Sequence, residues 1–183
     1  MLKSGFNSPL TSSVGRLFDA VAALIGLRQE IRFEGQAAME LEFALDRIET
    51  DECYVITIFE PAGPLPWKLD WTPMIQAILH DLERSTKAGL ISARFHNALA
   101  EVIVEVTKRI DEERVVLSGG CFQNRYLTER AVRRLQSEGF RVYWHQRVPP
   151  NDGGIAVGQI IAALRDTEMI QSCVPIPTSA DQS

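Results

Sequence analysis

The hydrophobic positions of this chain change period several times, and each change marks a new element. Between Ser12 and Leu27 the apolar residues Val14, Leu17, Phe18, Val21, Ala22, Leu24 and Ile25 recur at intervals of three and four, the spacing of one helix face. Ser12 or Ser13 stands where an N-cap hydroxyl belongs and Gly26 where a helix ends, so a mostly buried helix is predicted. A second helix is read in residues 34–49, "EGQAAMELEFALDRIE". The β-branched and aromatic run "CYVITIF" at 53–59 predicts a strand ended by the turn formers of "EPAGPLP". Residues 70–89 predict a helix with Asp70 or Thr72 as cap and Pro73 in the first turn, where its missing N–H costs nothing. Residues 90–113 predict a long amphipathic helix with charged residues outside.

The last third is more regular. Strand "RVVLS" (114–118), a turn, helix "RYLTERAVRRLQSEG" (125–139), strand "FRVYWH" (140–145), loop "QRVPPNDGG" (146–154) and helix "IAVGQIIAALRD" (155–166) follow one another. This β-α-β-α order predicts parallel strands joined by a crossover helix and puts any ligand beyond the carboxyl ends of the strands. Two glycine-bearing turns follow such ends. From Met169 the stretch "MIQSCVPIPTSADQS" reads as a loose tail.

Composition narrows the class. With 183 residues, 45% hydrophobic and 23% charged, the chain can bury a core and is ordinary for one globular domain. A net charge of −5 provides no bulk positive field for counterion release, which counts against nucleic acid as a partner. No apolar run approaches the ~18 residues needed to cross a bilayer, and the N-terminal stretch lacks a signal peptide's apolar core. A cytoplasmic protein without membrane partners is expected. Cys53, Cys121 and Cys173 are far apart and form no CxxC pair, so they read as reduced thiols.

The two turns carry the candidate chemistry. In "SGG" (118–120) a glycine pair follows a strand, letting a ligand approach the backbone, and the next helix start offers free N–H groups suited to phosphate. It is neither a Walker A loop nor a GxGxxG fingerprint, and taken alone an ordinary βα turn accounts for it. In "VPPNDGGIAVGQ" (148–159), Asp152 as helix cap and prolines at the bend explain the residue types. They do not explain why Gly153 and Gly154, poor helix formers, open a helix unless something approaches the backbone. The Asp152 carboxylate is also a candidate metal ligand. His96 is expected to be a hydrogen-bonded structural histidine, His80 and His145 have no partners at metal-ligand spacing, and no neighbouring base activates Cys121.

In order and spacing, "TSSVGRLFDAVAALIGLRQEIRFEGQAAMELE", "ARFHNAL", "LSGGCFQNRYL" and "RVPPNDGGIAVGQ" resemble the C-terminal part of the HypF carbamoyltransferases, over roughly residues 5–165. The resemblance implies a TsaD-like carbamoyltransferase domain of actin-like ATPase, ribonuclease-H-like α/β architecture. This chain would be its second lobe, a mixed sheet flanked by helices over residues 1–168, with 169–183 as the tail. It further implies carbamoyl phosphate and ATP as substrates and carbamoyl-adenylate as intermediate, with AMP released. The carbamoyl group would pass to the C-terminal cysteine of HypE, to become the cyanide ligands of nickel–iron hydrogenase. By the same resemblance Asp19 matches a ribose-contacting aspartate, and Gly35 with Gln36 lies near a glycine-rich nucleotide contact. Ser118, Gly119, Gly120 and Asn124 match a segment near the adenosine and phosphates, and Asp152 an aspartate completing a site for iron, zinc or magnesium. From the residues alone, Asp19 can equally bond a nearby arginine and Asn124 can cap the helix that follows it.

The departures matter as much. The HxxxH metal motif, the CxxC motifs and the acylphosphatase-like and YrdC-like domains of full-length HypF are absent from these 183 residues. A transition metal takes three or more protein ligands, so complete catalysis by this chain alone is not expected and no general base can be named. A lobe without its partner exposes apolar surface, which predicts a homodimer or docking to the N-terminal lobe and domains of HypF. Two alternatives stand beside this reading: a relative of the TsaD-type tRNA threonylcarbamoyltransferases, and a non-catalytic module that docks a nucleotide or a partner. The first is disfavoured by the acidic charge and by "PNDGGIAVGQ" and "EGQAAMELE".

Overall fold

The structure is a computed structural model that describes residues 11–60, 63 and 66–173, the last eight of these as helix backbone. Its axis is the long helix α4, Ala88–Ile110, which buries Ile91, Phe95, Ala98, Leu99 and Val104 along one side. Against α4 pack α2 (Gln36–Phe43), α3 (Thr72–Glu83) and α5 (Arg125–Ser137), and α1 (Val14–Leu24) packs on α2. The faces that meet are the apolar ones read from the sequence. Leu17, Phe18, Val21 and Ala22 of α1, Met74 and Ile78 of α3, and Leu127, Ala131 and Leu135 of α5 all join one buried cluster. Phe18 meets Phe95 edge to face, with ring centroids 4.9 Å apart, the geometry that aromatic quadrupoles favour.

Helix ends follow local chemistry. Ser13 caps α1, its hydroxyl accepting the Arg16 N–H at 3.4 Å. At the start of α3 the Asp70 carboxylate accepts the Thr72 N–H at 2.9 Å. The second helix is shorter than the sequence suggested, stopping at Phe43, with Asp46 and Arg47 then turning through positive φ. A residue far along the chain packs against this end. Gly89, in the first turn of α4, sits so close to this turn that a Cβ there would lie 2.4 Å from the Ala44 carbonyl oxygen.

The strand expected over residues 53–59 reduces to β1, Thr57–Phe59. Side chains hold the preceding segment in irregular backbone instead. Asn97 donates from Nδ2 to the carbonyls of Thr50 and Glu52, both at 2.8 Å, and the buried Tyr54 donates its hydroxyl to Asp81 at 2.6 Å. β1 pairs antiparallel with β2, Lys68–Asp70, a strand that "WKLD" did not announce. The expected parallel pair is present: β3 (Arg114–Leu117) and β4 (Arg141–Trp144) run side by side with α5 as crossover, Val116 opposite Tyr143 and Leu117 opposite Trp144. Parallel and antiparallel strands therefore occur in two small sheets among the described residues. α6 extends from Ile155 to Cys173, past Met169 where the tail was expected to begin, and residues 174–183 of that tail lie outside the described residues. Every residue from Ile155 to Arg165 is exposed.

Candidate functional site

Because β3 and β4 are parallel and in register to their last residues, the residues that follow them emerge together. Ser118 Oγ and His145 Nε2 lie 2.9 Å apart, both residues exposed. One residue on, the Gly119 N–H donates to the Pro150 carbonyl at 2.9 Å, so the loop after β3 and the loop after β4 are clasped on one rim. Gly119 holds φ 105, a conformation open to glycine and costly for residues with a Cβ. Gly120–Gln123 then make a 3-10 turn that rests against α1, the helix carrying Asp19. The Asp19 carboxylate is partly exposed and pairs with Arg16 at 3.0 Å.

Two details of the sequence reading are corrected. The start of α5 does not offer free N–H groups: Asn124 Oδ1 accepts the Leu127 N–H at 2.8 Å, and Glu42 Oε1 accepts those of Arg125 and Tyr126 at 2.7 and 3.1 Å. A carboxylate from α2 already answers the positive end of that helix dipole. The N–H groups that open the 3-10 turn, those of Gly120 and Cys121, have no acceptor within the turn itself. The second correction concerns the other loop. Asn151, not Asp152, is the cap there, its side chain accepting the Gly153 N–H at 3.1 Å. What approaches Gly154 is the chain itself, since a Cβ at that position would lie 2.7 Å from the Pro149 carbonyl oxygen. Gly120 differs: a Cβ there would meet nothing within 4 Å.

Beneath the rim runs a buried polar chain. The His96 Nδ1–H donates to the Ser92 carbonyl at 2.7 Å, and Asn124 Nδ2 donates to His96 Nε2 at 2.9 Å. The Ser92 hydroxyl reaches the Leu41 carbonyl. The rings of Phe18, Phe95 and Tyr126 stand edge-on to the imidazole. Burial lowers the His96 pKa to about 4 against the pull of the Ser92 carbonyl, which fixes a neutral ring and leaves it the structural role expected. Both arms of Asn124 are engaged in this chain. Gln36 is likewise committed, accepting the Arg32 N–H at 2.7 Å and donating to Glu40 at 3.1 Å. Gly35 turns into α2 with φ 79. Cys121 is half-buried and its burial pushes the thiol pKa up, the wrong direction for a nucleophile.

Among the described residues no three His, Cys, Asp or Glu side chains stand together as a metal site. Asp152 is a single exposed carboxylate, and this donor set does not fit a firmly held metal ion. A shallow open pocket of about 450 Å³ lies elsewhere, lined by Glu52, Cys53, Tyr54, His80, Asp81 and Arg94. It offers no free cation, because Glu52 and Asp81 both bond the Arg94 guanidinium. His145 is the rim residue that sequence reasoning left without a partner. Strand register finds it: if Leu117 faces Trp144, the next residue of each strand meets the other.

The family described as "Carbamoyltransferase, Kae1-like Domain, second subdomain" matches residues 1–159. The carbamoyltransferase HypF of Synechocystis is 42% identical over 163 residues, covering 89% of this chain and 21% of that protein. The chain belongs to the HypF carbamoyltransferase family. HypF2 of Cupriavidus necator is 34% identical over 188 residues and covers 90% of this chain and 23% of that one. A HypF homolog of the same organism is 31% identical over 175 residues, covering 90% of this chain and 43% of its own. A crystal structure of full-length HypF in its phosphate- and nucleotide-bound form superposes with a TM-score of 0.76 at 43% identity, over 86% of this chain and 21% of that one. HypF of T. kodakarensis superposes with a TM-score of 0.68 at 28% identity, over 86% of this chain and 20% of that one. The chain thus spans about a fifth of the length of the first of these relatives. No helix among the described residues is long and apolar enough to cross a membrane.

Proposed function

We propose that this chain is the nucleotide-holding second lobe of a HypF carbamoyltransferase domain and works only with the rest of such a protein. One observation carries the reading. The backbones after β3 and β4 are clasped together through Gly119 and Pro150, in a chain that superposes on a HypF solved in a phosphate- and nucleotide-bound form. In the whole enzyme, water hydrolyses carbamoyl phosphate to carbamate and phosphate, and a carbamate oxygen then attacks the α-phosphorus of ATP, forming carbamoyl-adenylate as the bond to pyrophosphate breaks. The terminal cysteine thiolate of HypE then attacks the carbamoyl carbon, and the bond to AMP breaks. This lobe's share is to hold and orient the adenylate.

Asp19, on the helix against the 3-10 turn, accepts from the ribose hydroxyls. Ser118, Gly119 and Gly120 border the phosphates, with Gly120 leaving room for them. Asn124 contributes by holding the turn, because its own amide is spent on Leu127 and His96. Gly35 and Gln36 brace the start of α2 on which α1 lies. Asp152 supplies one carboxylate to the rim; an iron, zinc or magnesium ion would need its remaining ligands from elsewhere in HypF. ATP and carbamoyl phosphate are cytoplasmic metabolites, and the reaction belongs in that compartment. The single metal-ligand candidate favours a second reading, a docking module that holds a nucleotide or HypE without taking part in the chemistry.

Calorimetry tests the nucleotide reading. The chain, supplied with the remainder of a HypF polypeptide, binds AMP and adenosine, and Asp19→Asn weakens both about tenfold, the value of one lost hydrogen bond to a charged group. Absence of heat with either ligand overturns the proposal.

A further inference from the structure

The pair formed by Ser118 and His145 has no evident part in holding the fold. Both residues are exposed, and an exposed side-chain hydrogen bond contributes little to stability. Yet the register brings them together at the carboxyl ends of two adjacent parallel strands, where α/β sheets hold their ligands. Nε2 of His145 is committed to Ser118 Oγ, whereas Nδ1 has no partner among the described residues. Around them the free hydrogen-bond donors are the Ser118 hydroxyl hydrogen and the backbone N–H groups of Gly120 and Cys121. Gly120 keeps the space beside them open. A set of donors at an open edge complements a group that only accepts, and adenine, with its own N–H edge, is a poorer match than a phosphate oxygen.

We propose that Ser118 and His145 together form the contact for an α-phosphate oxygen of the adenine nucleotide, a role that rests on the nucleotide reading above. His145 donates its Nε2–H to Ser118 Oγ. This leaves the hydroxyl hydrogen of Ser118 for the phosphate oxygen and sets its direction. His145 is therefore a positioning residue that acts through Ser118, and the pair discriminates nucleotide from nucleoside. Glutamine, which has an amide N–H at comparable reach, restores the donor without the ring; phenylalanine keeps the ring shape without the donor.

The test compares AMP with adenosine on the same mixture of chain and HypF remainder, by calorimetry. Ser118→Ala and His145→Phe each weaken AMP about tenfold and leave adenosine binding unchanged, and His145→Gln recovers part of the AMP affinity. Urea midpoints stay where they were, because neither side chain is buried. If His145→Phe binds AMP as tightly as the unsubstituted chain, or loses AMP and adenosine equally, the phosphate assignment is wrong. Should the unsubstituted chain bind neither ligand, the nucleotide reading fails first and takes this inference with it, an outcome distinct from a lost difference between the two ligands.

Discussion

At the scale of single residues, His96 is the side chain on which the interior is most exacting. It is fully buried, bonded through both ring nitrogens and ringed by three aromatic edges. A charged imidazole there would lose the acceptor that orients Asn124, and with it the cap of α5. The folded ring has a pKa of about 4 against an ordinary value of about 6.5 for the unfolded chain. Between those values the unfolded state binds the extra proton, so the contribution of this histidine is complete above about pH 6.5 and is lost as pH falls towards 4. The loss amounts to on the order of 3 kcal/mol over that window. Urea midpoints measured from pH 7 to pH 4.5 check it, with His96→Gln as the comparison: the variant is less stable at neutral pH but loses less of its stability on acidification.

Between elements, two close approaches occur next to helix ends. Gly89 lets the first turn of α4 abut the end of α2, and Gly154 lets α6 leave the loop beneath Pro149. Gly89 lies in helix, where alanine is normally the better residue. In this place a Cβ would meet backbone at 2.4 Å and the Ile48 side chain at 2.7 Å, and neither helix can move freely because both join the core. Gly89→Ala is therefore predicted to destabilise the chain by about 2 kcal/mol through overpacking, opposite in sign to the helix-propensity expectation. Thermal or urea unfolding at neutral pH measures it.

For the whole molecule, the unfinished surface is the main feature. Ile155, Val157, Ile160, Ile161 and Leu164 of α6 are 46% to 60% exposed, and Val116 and Tyr143 lie bare on the β3–β4 sheet. Scattered apolar residues are normal on a surface, but a helix carrying five of them draws the chain into association. Sedimentation velocity on the chain alone is expected to show a weight-average mass that rises with concentration. Ile160→Asp with Ile161→Asp lowers that rise without moving the urea midpoint, since both positions are exposed.

What could be read from sequence were the features set by local chemistry and period: the buried face of α1, its cap at one of two adjacent serines, a third helix with Pro73 in its first turn, which begins at Thr72 with Trp71 as its cap residue, and the parallel β3–α5–β4 unit with its two glycine-bearing loops. The family was legible too, because four motifs in fixed order identify it independently of geometry. Tertiary structure decided what depends on residues far apart in the chain. Glu42 fills the α5 terminus from 83 residues away, Asn97 ties down the carbonyls of Thr50 and Glu52 just before the segment expected as strand, Gly89 lies against the turn that follows α2, and strand register gives His145 its partner. No window along the sequence contains both members of such a pair, so each assignment had to wait until folding brought them within hydrogen-bond or van der Waals reach.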